Sequence, residues 1–159
     1  MTRFALITFT VLATTLAAAV PAPARPRLDR TERAVIRLLN ETRAQHGLPK
    51  LRAARPLSRA ADGHSRDMLR RDFFDHVSSD GTPFDRRVRR YAKASAIGET
   101  LAALPRRRGG AARIVRMWMD SPPHRATILA GSYRRIGVAR RWGSLGSAGK
   151  AVVTADFTS

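Results

Sequence analysis

Two imidazoles and one carboxylate are the side chains of this 159-residue chain whose placement could support chemistry. His76 follows Phe73-Phe74-Asp75 in a polar stretch, Glu99 is the lone carboxylate of Ala96-Ile97-Gly98-Glu99-Thr100-Leu101, and His124 follows Pro122-Pro123. A carboxylate on an apolar strand must meet a cation, a hydrogen-bond donor or a cleft, because burying it alone is costly. Two histidines and a glutamate are also the usual ligand types for a zinc-like divalent cation. If the three converge, they offer a cation site. With Glu99 as general base beside a metal-bound water, they would instead offer a hydrolytic centre. A plainer reading stays open, in which each imidazole caps a loop and Glu99 pairs with one of many arginines.

Other chemistry is excluded early. Gly-x-Ser-x-Gly, the Walker loop, the dinucleotide fingerprint, His-Glu-x-x-His and the EF-hand loop are all absent. Cysteine is absent too, which removes thiol nucleophiles, thiolate metal sites and disulfides, so core packing alone must hold the fold. His64 falls on the apolar face of a helix and reads as a core-edge histidine bonded to a neighbour. His46 sits at a helix C-terminus, where a cation is favoured. Trp118 reads as packing, and Tyr133 and Asp156 either border the cleft or finish the sheet.

The elements that must position these groups follow from periodicity. Asp29 or Thr31 can cap a first helix with Ala34, Val35, Leu38, Leu39 and Thr42 at helical spacing, stopped by Gly47. Leu48 to Leu51 reads as an extended link. Pro56 opens a second helix whose Leu57, Ala60, Ala61, His64, Ser65, Met68 and Leu69 share one face. Phe73-Phe74 closes it as a core anchor. A polar loop over 75–82 carries His76 and the turn Asp80-Gly81. A short basic helix follows over 84–91, then a short apolar segment over 96–101. Pro105 to Gly110 reads as a basic loop. A helix over 111–120 must stop at Ser121-Pro122-Pro123, with a helical turn over 124–129. Strands are expected at 135–141 and 150–158, joined by the loop Gly143 to Gly149. Helices followed by late strands indicate an α+β or layered α/β/α domain.

The N-terminus reads as an address rather than structure. Met1-Thr2-Arg3 is basic, Phe4 to Val20 is apolar, and Ala22-Pro23-Ala24 offers small residues at a cleavage point, with Ala17-Ala18-Ala19 as a second. Residues 1–24 are therefore expected to be a signal peptide and 25–30 a linker, with the folded domain at 31–159. An uncleaved anchor is the alternative, marginal in length for a span. The expected product is secreted or held at the cell envelope, a monomer with no membrane span after cleavage. Thirty Lys and Arg stand against twelve Asp and Glu, a net charge of +18, and only Lys50, Lys93 and Lys150 are lysines. Such a surface attracts polyanions. For an exported chain these are anionic envelope polymers or lipids, not a specific nucleic acid, since no groove-reading motif is present.

Seven segments, in order, resemble the bacterial CAP (SCP-like) family. Asn40 to Leu48, with Asn-x-x-Arg and Gly-Leu, is similar to its opening helix, and Leu57 to Met68 to its second. Phe73-Phe74-Asp75-His76 with Asp80-Gly81 resembles the loop bearing its first cleft histidine. Gly98-Glu99-Thr100-Leu101 resembles its Gly-Glu-Asn motif, and Trp118 to Arg125 its Trp-x-x-Ser-Pro-Gly-His-Arg segment. Tyr133 to Val138 and Thr154 to Phe157 resemble its closing strands. The resemblance spans Thr31 to Phe157. It implies a three-layer α/β/α sandwich with His76, Glu99 and His124 in one cleft, and a role in binding more than in catalysis. Thr100, Pro123 and Thr127 stand where the family has Asn, Gly and Asn. Ser121, beside Asp120, replaces a second cleft glutamate, which weakens any two-carboxylate hydrolysis.

Overall fold

The computed structural model describes residues 28–105 and 110–159; the segment read as a signal peptide, most of that read as a linker and the middle of that read as a basic loop lie outside the described residues. The elements are α1 (Arg30–Gln45), β1 (Arg52–Ala53), α2 (Arg55–Arg71), α3 (Phe84–Arg89), β2 (Ile97–Pro105), α4 (Ala111–Asp120), α5 (Pro122–Ile128), β3 (Arg135–Leu145) and β4 (Ala148–Thr158). The sheet order is β1-β3-β4-β2, with β1 parallel to β3 and the other pairs antiparallel.

Strand alternation sends successive side chains to opposite faces, and each face is covered by helices. Ile136, Val138, Val153, Ala155, Phe157, Ala102 and Leu104 share one face with Val35, Leu39, Ile114, Trp118 and Ile128 from α1, α4 and α5. Leu101 and Val152 face the other way onto Met68 of α2, and Leu57, Ala60 and Val88 join α2 to α3. This is the expected three-layer sandwich.

The helix ends explain the layering. Asp29 caps α1 through a reciprocal box with Glu32. Glu32 is itself buried and accepts from the Arg140 amide at 2.8 Å and from the Arg141 guanidinium at 3.2 Å, which pins α1 to β3. Leu28, within the segment read as linker, packs on the main core. At the other end Gly47 adopts φ +67°, the left-handed stop expected of it. Ser65 of α2 bonds Thr154 of β4 across the interface at 2.8 Å.

Four local readings need correction. Phe73 packs inward but Phe74 is exposed, because Asp72 ends α2 in the left-handed region and only one of two adjacent rings can turn back. The extended link after α1 continues into strand β1, which pairs with β3. The segment around Glu99 runs on to Pro105, backed along its whole length by β4. Residues 143–149 are not a loop: β3 and β4 pair out to Leu145 and Ala148, leaving a two-residue turn with Gly146 at φ +60°. Their Gly and Ser content hid the strands.

Gly137 of β3 lies where α2 presses on the sheet. A Cβ there would sit 2.1 Å from backbone atoms of Leu57 and Ser58. Gly137→Ala should therefore destabilise the protein by about 3 kcal/mol, at the upper end of overpacking costs, whereas Gly149→Ala, with open space around it, should stay within about 0.5 kcal/mol of the parent. Urea unfolding of the two variants measures the difference.

Candidate functional site

Glu99 lies on edge strand β2 directly opposite Asp156 of β4, so both side chains point to the α2 face. The Glu99 side chain has no solvent exposure, and both of its oxygens are engaged. Oε1 accepts from His76 Nδ1 at 2.8 Å. Oε2 is in a short ion pair with Arg87 of α3. Arg87 is buried and also donates to the His76 carbonyl at 3.0 Å and to Ser78 Oγ at 2.8 Å. One guanidinium thus holds both the carboxylate and the loop that carries its imidazole partner. Phe84 and Val88 explain the burial: with Arg87 they occupy one face of α3 at i, i+3 and i+4.

His76 keeps its Nδ1 proton on Glu99, so Nε2 is the atom left toward solvent, and its side chain is 44% exposed. The His124 ring, from α5, lies 6.4 Å from the His76 ring, centroid to centroid. His76, Phe84, Glu99, Pro123, His124 and Tyr133 line one hollow of about 340 Å³. Ile97, Gly98 and Glu99 all line it although they alternate between faces, so the hollow opens at the edge of the sheet. There the α2–α3 loop and α5 meet from opposite layers. Gly98 is required at this edge: a Cβ would approach Tyr133 Oη to 2.5 Å and Thr127 Cγ2 to 2.9 Å.

Two buried groups stand behind the hollow. Asp156 is wholly buried, and its carboxyl group lies against that of Glu99. Burial first, and then the negative charge of Glu99, push it well above the usual carboxylate range against the pull of Arg87. The neutral acid is favoured. His64 is buried as expected, with Nε2 on the Asp75 carbonyl at 2.8 Å, and burial lowers its pKa. His124 is also lowered, by burial and then by His76.

The structure therefore brings His76, Glu99 and His124 together, adds Tyr133 to the hollow and places Asp156 beneath it. Glu99 meets both an imidazole and an arginine. His46 is exposed near the α1 terminus, and Trp118 is core, its Nε1 donating to the Leu101 carbonyl at 2.8 Å. Arg87 was hidden among Arg86, Arg89 and Arg90 in a helix read only as short and basic; its i+3 spacing from Phe84 was the available signal. Among the described residues no three His, Cys, Asp or Glu groups are arranged to hold a metal ion. The three-ligand set expected from sequence is thus reduced to the two imidazoles, because Arg87 and His76 occupy Glu99. That arrangement fits an imidazole pair with Glu99 as the carboxylate that orients His76 from behind.

Residues 36–157 match the family described as CAP, the cysteine-rich secretory protein family. The chain is 33% identical to the Bacillus subtilis protein YkwD over 108 residues, 67% of this chain and 41% of that protein. It is 35% identical to the B. subtilis membrane protein YlbC over 109 residues, 68% of this chain and 31% of that one. It thus spans less than half the length of either relative. An extracellular SCP-domain protein of Bacillus anthracis superposes with a TM-score of 0.68 at 25% identity, covering 80% of this chain and 40% of that one.

Removing one partner of the buried ion pair strands the other. Arg87→Ala should cost about 3–5 kcal/mol in urea unfolding, and adding Glu99→Gln should restore part of the loss. Asp156 gives a separate pH signature. Its raised native pKa means the folded state holds a proton that the unfolded chain releases near its ordinary value of 3.8. Its contribution is full below that pH and is lost as pH rises through the native pKa. Asp156→Asn should therefore gain stability relative to the parent with rising pH, by up to about 1.4 kcal/mol per unit. Thermal melts from pH 4 to 8 test it.

Proposed function

The chain belongs to the cysteine-rich secretory protein (CAP) family, and on that premise we propose that it acts as an exported binding module whose cleft offers His76 and His124 to a divalent cation such as zinc. The observation that carries this reading is the Glu99–His76 hydrogen bond. A buried carboxylate behind an imidazole fixes its tautomer, orients the ring and makes the outer nitrogen a better donor. The lowered pKa of His124 points the same way, since a metal-binding imidazole must be neutral. A cation bound there would leave open positions for water or an anionic ligand. Export is supported by the N-terminal segment and by the extracellular B. anthracis relative; YlbC, a membrane protein, allows an envelope-attached form. The arginine-rich surface adds affinity for anionic envelope polymers or lipids.

The hydrolase reading, with Glu99 as general base, is disfavoured by the geometry. A base needs a free oxygen facing the reacting proton. Glu99 has no exposure and both its oxygens are held.

Calorimetric titration with zinc tests the cleft. The parent should bind one cation, His76→Ala and His124→Ala should each weaken binding at least about tenfold, and Glu99→Gln should weaken it by about 10–100-fold while leaving a site. Unchanged affinity in a folded His76→Ala/His124→Ala double variant would remove the proposal.

A further inference from the structure

A second hollow lies at the opposite edge of the sheet from the histidine cleft. Its volume is about 740 Å³, and Asn40, Lys50, Arg52, Arg134 and Arg135 line it with no carboxylate among its lining residues. The four cations are exposed. Arg52 and Arg135 are direct partners in the β1–β3 ladder, about 5 Å apart across neighbouring strands. Like charges facing each other in this way destabilise a sheet pair. Asn40 builds the floor: its side chain accepts from the Leu51 amide at 2.7 Å and donates to the Leu51 carbonyl at 3.0 Å, fixing the chain between Lys50 and Arg52.

A fifth cation lies behind this surface. Arg43 is fully buried. Its guanidinium donates to the carbonyls of Pro49, Ile128, Ala130 and Tyr133, at 2.6–3.2 Å, and to no carboxylate. Those four bonds engage four of its five N–H donors and leave its charge unbalanced. Burial and then the nearby charge of Arg134 disfavour its charged form. Five positive charges are thus gathered at one edge, two of them register-locked side by side, without local neutralisation from the hollow's lining.

We propose that this hollow is the seat of the protein's anion binding, and that its ligand is a linear polymer carrying closely spaced phosphate groups. This localises the anionic-surface reading given above and rests on it, but not on the histidine cleft. Guanidinium forks match phosphate oxygens two at a time, and a multiply charged chain supplies the counter-charge that the four rim cations and Arg43 lack. A membrane surface is the poorer fit. Among the described residues the exposed large apolar side chains are Phe74, Val77, Tyr91, Met117 and Trp142, and none lines the hollow to insert beside a headgroup.

The test is calorimetric titration of the full chain with linear sodium polyphosphate at several salt concentrations. Binding should weaken steeply with salt. Arg52→Ala/Arg135→Ala should weaken it at least about tenfold and flatten the salt slope by about two charges. Arg86→Ala/Arg89→Ala removes the same charge from α3, beside the opposite edge strand, and should leave affinity within about twofold, as should His76→Ala. Equal losses in the two arginine pairs would overturn the site while leaving a general polyanion affinity. Absence of salt-sensitive binding would overturn both readings. Tighter binding to phosphatidylglycerol vesicles of equal charge would overturn the polymer as occupant.

Discussion

A carboxylate with no access to water organises this protein. Glu99 sits on the edge strand of the sheet with its charge buried, and burial of that kind is tolerated only when the charge is paired and its oxygens are satisfied. Arg87 and His76 meet that demand from α3 and from the loop before it. The consequence is positional: α3 must pack against β2, and the loop must lie across the strand's edge. The half-exposed imidazole is then left facing the hollow from a fixed base.

The same network divides labour among the acidic groups. Glu99 is paired with Arg87. Asp156, across the ladder, is pushed toward its neutral form by burial and by Glu99. Two adjacent carboxyl groups on one buried face are compatible when only one ionises. His64, lowered by burial, stays neutral beside them. The interior behind the cleft therefore holds one compensated ion pair rather than a cluster of charges. The other half of the cleft comes from α5, where Pro122 in the first turn and Ser121 before it end α4 and start the next helix at once. His124 is delivered from that junction.

The arginines show how little residue type alone decides. Arg87 is a buried partner of a carboxylate, Arg43 is a buried cation held by carbonyls, Arg140 and Arg141 tie the sheet to the capped start of α1, and Arg52 and Arg135 face each other at an open edge. In the sequence Arg43 stands out through its Asn-x-x-Arg motif, while the others merge into one basic surface. Burial and pairing separate structural cations from those left to meet a ligand.

Local rules were enough for much of this. The helical spacing of Leu57 to Leu69, the stop at Gly47, the break at Ser121-Pro122 and the three cleft residues are legible because each depends on neighbours within a turn or on an ordered set of short motifs. The two-residue strand β1 and the extension of the hairpin through residues 142–149 were not legible, since a strand is defined by a partner distant in the chain, and glycine and serine carry no pattern to announce one. Nor was the pairing of Glu99. Composition determined that this carboxylate would need a cation or a cleft. Only the tertiary structure chose Arg87 from among many arginines, because that choice depends on which helix face packs against which strand edge, and contacts of that kind leave no periodic trace in sequence.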